Sequence, residues 1–353
     1  MKGSTGGSRA VLNPEKLRMR RAMRYKQWTP QRLRSTGSYW QARILGTAVH
    51  LQIFDWLGDS GRNARAATNR FDGTREGWEI FLDALSAMGL LRKRALSYEN
   101  SSFALRYLCS GNGSFLLSDY DAWNVWGRLP DSLTSGKRPK VAQPFFSKRE
   151  QAGRLLQSLD KDARKIAPYL MARLPLSRSK TLLDIGGGLG SFTIACCRRS
   201  PHLRAIIVEH PRVVSFTSRA VKNAKIAKRV QVMGLDITKE PLPCGFDLLL
   251  ISNVLHGQGA RENRALLRSA YRSLNQGGRI VLRDVLMNRA RTNPDWGALF
   301  SVALFLHTPH GRCYALDEVR GWLRAAGFSG IKGPFCSSPL PFDPDSVLVA
   351  EKS

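Results

Sequence analysis

Apolar residues recur at helical spacing over the first third of the chain and then change period. From about Ser35, the residues Trp40, Ile44, Val49, Leu51, Ile53, Phe54 and Leu57 follow the three-and-four spacing of one helix ending at Gly58. A second helix is expected over Arg62–Asn69. In a third, Thr74–Met88, the side chains Trp78, Phe81, Leu82, Leu85 and Met88 share a face, and Gly89 stops it. Leu90–Tyr98 and Ser102–Leu108 then flank Glu99-Asn100-Ser101 and read as a small hairpin. Three helices and a hairpin are the element order of a winged helix, which either binds DNA or serves as a dimerisation scaffold. Residues 112–150 carry Trp123, Trp126, Leu129 and Leu133 ahead of a turn-rich stretch, and Arg154–Leu174 reads as a long helix.

Past Lys180 short apolar runs alternate with amphipathic segments. Strands are expected at Thr181–Ile185, Ala205–Glu209, Val230–Met233, Phe246–Ser252 and Arg279–Asp284. Helices are expected at Ser191–Arg199, Arg212–Ala227, Arg261–Leu274 and Leu316–Ala326. Such alternation predicts an α/β fold, a Rossmann-like and mostly parallel sheet. The last apolar pieces, Ile331–Cys336 and Ser346–Ala350, would close it as an antiparallel pair. The expected organisation is a basic tail (1–34), a winged-helix-like unit (35–110), connecting helices (111–175) and an α/β domain (176–353).

Composition changes this picture little. The hydrophobic content of 43% is that of a globular protein, no apolar run is long enough for a bilayer, and the N-terminus lacks the apolar core of a secretory signal. Six cysteines without paired metal spacing read as reduced thiols, so a cytoplasmic protein without a metal site is expected. The net charge of +28 is unusual, and its density is highest in the first 40 residues, with ten Lys and Arg against one Glu. No basic stretch is interleaved with stacking aromatics, so a general preference for arginine is favoured over a specific nucleic-acid partner.

The candidate chemistry sits at strand ends, where ligands of open α/β sheets bind. The stretch KTLLDIGGGLGSFT joins an apolar strand to a helix through glycines 186, 187, 188 and 190. The dinucleotide spacing fails, because its last glycine would fall on Ser191. What remains is Asp184, Gly186, Gly188 and Gly190 in the pattern D-x-G-x-G-x-G. Glu209 ends the second strand and can accept from two ribose hydroxyls; the alternative is a surface carboxylate. At the third strand end Asp236 could accept from an adenine amine while Ile237 packs on the ring, or Asp236 could be an ordinary turn residue. The fourth strand ends at Ser252, and the Asn/Asp-Pro-Pro-aromatic motif of nucleobase methyltransferases is absent there. His256 follows, placed to take a proton from a hydroxyl, or simply to cap the next helix. Asp284, at the fifth strand end, could orient His256 or pair with Arg283. Leu304–Arg312 reads as a loop in which Leu304, His307 and His310 could line an acceptor pocket together with Trp123 and Trp126. Either of those two histidines could replace His256 as the base.

Taken together, LLDIGGGLG, VEHP at 208–211, the GLDI turn, VLHGQ at 254–258, LNQGGRIVLRD at 274–284, and TPHGR followed by AAGF at 325–328 resemble the S-adenosylmethionine (SAM)-dependent O-methyltransferases of the plant caffeate type and their bacterial small-molecule relatives. The resemblance implies a winged-helix-like dimerisation domain before a Rossmann-like sheet, and therefore a homodimer. It implies SAM as cofactor, a small, flat, hydroxyl-bearing acceptor, His256 as base, Asp284 as its supporting acid, Glu209 on the ribose, and Asp236 and Ile237 beside the adenine. This chain departs from the family in three places. Gly257-Gln258 stands where an acidic residue and tryptophan usually follow the histidine, Cys313 stands where a second acid is expected, and Asp236 lies one residue late. Such departures also suit a carbon methyltransferase or a member that keeps SAM without methyl transfer. The reading from another class, a nucleic-acid-binding regulator, would need a continuous basic face on the third helix.

Overall fold

A computed structural model describes residues 39–110, 123–138, 149–172, 174, 176–340 and 343–353. The basic tail and residues 111–122 and 139–148 of the expected connecting region lie outside the described residues. The N-terminal unit opens with α1 (Tyr39–His50) and α2 (Ile53–Leu57). The single helix expected here is broken, because Gln52 adopts a left-handed φ of 56° that ends one helical run and starts another. Helix α3 (Ala64–Phe71) follows the short strand β1 (Arg62–Asn63), and α4 (Arg75–Ala87) begins where Thr74 Oγ1 accepts from Gly77 N at 3.1 Å. Strands β2 (Leu91–Arg94) and β3 (Ser97–Asn100) form the hairpin, completing an antiparallel sheet of order β1-β3-β2.

The hairpin is therefore shorter than expected and turns at Ala95–Leu96. Its supposed second arm is a helix, α5 (Ser102–Tyr107), because Ser101 Oγ accepts from Ala104 N and nucleates a helical turn. Ile53, Phe54, Leu57, Leu82, Leu85 and Tyr98 are the fully buried centre of this unit. Helix α4 exposes Arg75, Glu76 and Asp83, with Glu79 half-buried beside Arg75, so it has no continuous basic face.

After α6 (Leu129–Ser135), the long helix α7 (Arg149–Met171) leads into the second unit. Its strands are β4 (Thr181–Ile185), β5 (Arg204–Glu209), β6 (Val230–Gly234), β7 (Phe246–Ser252) and β8 (Leu274–Asp284), joined through α8 (Ser191–Arg199), α9 (Val214–Asn223) and α10 (Ala260–Ser273). The short β9 (Leu286–Met287), α11 (Asp295–His307), β10 (Tyr314–Ala315), α12 (Leu316–Ala325), β11 (Ser329–Cys336) and β12 (Ser346–Glu351) complete it. The large sheet has the order β11-β12-β8-β7-β4-β5-β6; β12 runs antiparallel to both β8 and β11, and the other pairings are parallel.

Central strands buried on both faces need apolar residues in succession, not alternation. Accordingly Leu183, Ile185, Leu249 and Ile251 pack with Leu266, Leu267 and Leu323 on one face. Leu182, Leu248 and Leu250 pack with Leu170, Cys196 and Cys197 on the other. The strand order reverses between β4 and β7, which opens a crevice at their carboxyl ends. The strands β4, β5, β6, β7, β11 and β12 and the helices α4, α8, α10 and α12 fall within two residues of where the residue pattern puts them. Helix α11 is not expected: it covers residues for which no element is read and takes the first four residues of the expected loop Leu304–Arg312. Its apolar residues are spread all round its axis, so they carry no amphipathic period. Among the described residues no helix is long and apolar enough to cross a membrane.

Candidate active site

The crevice is lined first by the turn after β4. Gly186, Gly188 and Gly190 have φ of 68°, 59° and 81°, and a Cβ on Gly186 would stand 2.6 Å from Val254 Cγ2, so side chains are excluded by conformation and by space. The turn is fixed from several sides. Gly186 N donates to Val208 O at 2.8 Å, and Thr217 Oγ1 donates to Gly188 O at 2.7 Å. Asp184 is fully buried: Thr193 Oγ1 donates to its Oδ2 at 2.6 Å, and its Oδ1 has no partner among the described residues. Burial pushes its carboxyl up to about 7, with Thr193 opposing. It thus supports the loop from inside, and the expectation of a direct ligand contact is corrected.

Glu209, at the end of β5, brings its carboxylate back to this loop. Oε1 accepts from Gly188 N at 2.7 Å and Oε2 accepts from His210 N at 2.9 Å. Burial raises its pKa, and the two backbone donors counter the rise. The carboxylate is aimed at the glycine turn and is not a surface group. Asp236, in contrast, is committed locally. Its Oδ1 accepts from Thr238 N and Oγ1 at 3.1 and 2.6 Å, and Oδ2 pairs with Lys239 at 2.8 Å. Those partners pull its carboxyl down to about 2. The turn-residue alternative describes this geometry, while Ile237 is half-buried against the core.

Between β7 and α10 the chain makes a tight excursion. Ser252 accepts from an Arg283 Nη at 3.3 Å, Asn253 takes a left-handed φ of 58°, and Leu255–Gly257 form one 3-10 turn. His256 Nδ1 lies 2.8 Å from Asp284 Oδ1. The same carboxylate accepts from Leu255 N at 3.0 Å, His256 N at 3.4 Å and Val285 N at 2.8 Å, so it holds both the ring and the backbone that carries it. Burial disfavours the imidazolium, but the charge and hydrogen bond of Asp284 outweigh it, and the His256 pKa is raised. Burial likewise works against the Asp284 carboxylate, and His256 with the backbone donors wins, holding its pKa low. Asp284 thus pairs with His256, while Arg283 turns to other partners. The His256 side chain keeps 16% of its surface accessible.

Residue-pattern reading missed the ring beside that histidine. Phe300, on α11, meets His256 edge-on with centroids 5.1 Å apart, and Trp296 stacks on Phe300 at 4.6 Å. The signal was the pair itself, aromatic residues four apart, on a helix that pattern could not reveal. Of the other expected pocket residues, Leu304 is buried in a cluster with Val285, Met287 and Cys313 and is corrected to a packing residue. His307 ends α11 half-buried, and burial lowers its pKa. His310 lines a separate open cleft with Arg138, Gly259, Ala260, Arg261, Glu262, Arg312 and Tyr314. A Cβ on Gly311 would collide with the His256 carbonyl, which is why this loop can pass so close behind the turn. Trp123 places its ring against Tyr39 at 5.8 Å and beneath Arg43, and Trp126 is partly exposed.

The sheet order, with a glycine turn and an acidic strand end at the point of reversal, defines a class I methyltransferase fold. The chain belongs to the family of SAM-dependent O-methyltransferases: residues 146–329 match the O-methyltransferase domain. Among its relatives is the 3-hydroxy-5-methyl-1-naphthoate 3-O-methyltransferase of Streptomyces sahachiroi, 28% identical over 310 residues, covering 85% of this chain and 89% of the relative. Another is the tetracenomycin polyketide synthesis 8-O-methyl transferase TcmO of Streptomyces glaucescens, 27% identical, covering 91% and 96%. The solved structure of PigF with SAH, a methyltransferase of a Serratia strain, superposes with a TM-score of 0.83 at 24% identity, covering 92% of this chain and 100% of that one. Members of the family include N- and C-methyltransferases as well. The residues fit the cofactor of this family: the glycine turn at 186–189 stays partly exposed, and Glu209 presents a carboxylate against it.

Proposed function

We propose that this chain methylates a hydroxyl oxygen of a planar, ring-bearing small molecule, with His256 as general base and Asp284 as the acid that orients it. The observation that carries the reading is the 2.8 Å contact between His256 Nδ1 and Asp284 Oδ1. Donation from Nδ1 makes Nε2 the basic nitrogen, and no described residue bonds to Nε2. Gly186–Gly190 and Glu209 would hold SAM, with Ile237 toward its adenine. When bound, SAM supplies a methyl group on a positively charged sulfur and leaves as the neutral thioether. His256 takes the acceptor's O–H proton on Nε2, and the oxygen's electron pair is left to form the new bond to carbon. Asp284 stabilises the imidazolium that results, and the proton is then returned to solvent. Phe300 and Trp296 form an apolar wall beside the imidazole that suits a flat ring and keeps water from it. The relatives named for 3-O-methylation of 3-hydroxy-5-methyl-1-naphthoate and for 8-O-methyl transfer in tetracenomycin polyketide synthesis make a fused-ring phenol the acceptor class to test first.

The N-terminal unit supports a second part of the reading, a homodimer built on a winged-helix-like module. Its element order and three-stranded sheet suit that module. Tyr39, Trp40, Ile80, Phe103 and Tyr107 are exposed on it, more apolar surface than a small unit leaves bare without a partner. The acidic exposed residues of α4 favour this use over DNA binding. The base assignment is tested with His256→Ala and a hydroxynaphthoate acceptor. SAM affinity should persist while kcat falls by roughly two to four orders of magnitude, the usual worth of a positioned base. A loss below about tenfold would leave the chemistry to alignment alone.

A further inference from the structure

Two adjacent residues at the end of β8 serve opposite sides of the sheet. Asp284 holds His256, whereas Arg283, equally buried, reaches into the chain between β11 and β12. Its Nε donates to Ser337 Oγ at 2.6 Å, one Nη to Ser252 Oγ at 3.3 Å, and the other Nη to Asp343 Oδ1 at 2.8 Å and Asp345 Oδ2 at 2.6 Å. Asp343 is itself fixed, accepting from Ser338 Oγ at 2.7 Å and Asp345 N at 3.2 Å. The Arg283 carbonyl accepts from Asn253 N at 2.8 Å, the residue forced to positive φ just before His256. One guanidinium therefore ties the ends of β7 and β8 to the segment ahead of β12. Buried ion networks of this kind are poor sources of stability, because desolvation offsets the attraction; their worth lies in fixing one arrangement.

Resting on the reading of His256 as base, we propose that Arg283 and Asp345 are positioning residues of the methyl transfer. Arg283 locks the Ser252–Asn253 turn that presents His256. Asp345, next to the residue Ser346 that pairs with Asp284 across β8 and β12, supplies a second negative charge that stabilises the imidazolium formed when His256 accepts the proton. The charge count agrees, since one guanidinium faces two carboxylates and a third, Asp284, is its chain neighbour. Burial pushes the Asp345 carboxyl up to about 6, with Arg283 opposing and Asp284 and Asp343 adding to the rise, and the 2.6 Å ion pair with Arg283 favours its charged form. The charged groups acting on His256 are Asp284 and Arg283 from β8 and Asp345 from the segment before β12. From α11 the neighbour is the uncharged ring of Phe300. The Cys313 thiol, in the field of Asp284 and Asp345, is pushed up to about 12 mainly by burial and stays neutral.

The test uses the full chain with Asp345→Asn, Asp343→Asn and Arg283→Lys. His256 is followed by NMR titration with SAH bound, and kcat is measured against pH. Asp345→Asn keeps the shape and one acceptor oxygen. It should move the His256 midpoint and the acid limb of kcat down together by roughly half to one pH unit, the scale of one partly screened charge. Asp343→Asn, on the far side of Arg283, should move them by less than half as much. Arg283→Lys cannot span four acceptors and should lower kcat about tenfold or more at every pH, with SAH affinity within about threefold of wild type. A His256 midpoint unchanged in Asp345→Asn, or equal shifts in both Asn variants, would overturn the charge role. Undiminished kcat in Arg283→Lys would overturn the lock. A midpoint that moves while the rate limb stays still would instead remove His256 as the base, and the catalytic role of Asp345 with it.

Discussion

Replacing Asp284 by Asn asks most of the site at once. The carboxylate accepts from four donors, Leu255 N and His256 N on Oδ2, and His256 Nδ1 and Val285 N on Oδ1. An amide has one acceptor atom, so at least one buried backbone N–H would face another donor, at a cost of about 1–3 kcal/mol. The 3.4 Å contact to His256 N is weak and adds little. Loss of the charge weakens the bond to the imidazole by a further ~1 kcal/mol or so. A destabilisation of roughly 2–4 kcal/mol is expected at neutral pH. The sign of its pH dependence follows from both partners. Asp284, held below its ordinary pKa, contributes stability above the unfolded carboxylate range and loses it as pH falls through its folded value. His256, held above its ordinary pKa, contributes fully below the unfolded value and loses this as pH rises through the folded one. The variant should therefore lose more stability relative to wild type at about pH 5.5 than at pH 9, where only the hydrogen-bond part persists. Urea unfolding of both proteins at the two pH values measures this difference. An equal loss at both pH values, or a His256 NMR midpoint unchanged in Asp284→Asn, would refute the ion-pair account of the site.

Two more outcomes follow. Glu209→Gln replaces one acceptor oxygen facing Gly188 by a donor, so SAM affinity measured by calorimetry should fall about ten- to a hundredfold; an unchanged Kd would remove Glu209 from the ribose site. Light scattering at micromolar concentration should give twice the mass of the chain, and paired Trp40→Glu and Phe103→Glu substitutions should halve it; a wild-type monomer would remove the dimer.

The parts of this fold legible from residues are those whose signal is local. A glycine turn after an apolar strand states its own conformation, and Thr74–Met88 carries both its period and its capping residue. The errors arose where neighbours decide. Gln52 breaks a helix that periodicity continues, because it takes a left-handed φ of 56° that no residue preference marks. Ser102–Tyr107 became helical through one side-chain cap on Ala104, a bond that competes with strand pairing.

The site divides along the same line, and this explains why its cofactor half was legible and its acceptor half was not. The candidate cofactor half sits at strand ends and is read by counting: Glu209, Ser252 and Asp284 end β5, β7 and β8, and His256 follows four residues after Ser252. The acceptor half of the proposal rests on α11, whose apolar residues cover its whole circumference, one side on Val285 and Met287 and another on the His256 ring. No period can separate those sides, so Leu304 was assigned to the pocket and Phe300 and Trp296 were not. Arg283 was hidden differently: a charged residue inside GRIVLRD looks like an exposed strand end until the distant aspartates 343 and 345 are placed beside it. Strand counting places Glu209 and Asp284 at the crevice, and contacts across sixty residues decide how the turn that carries His256 is held.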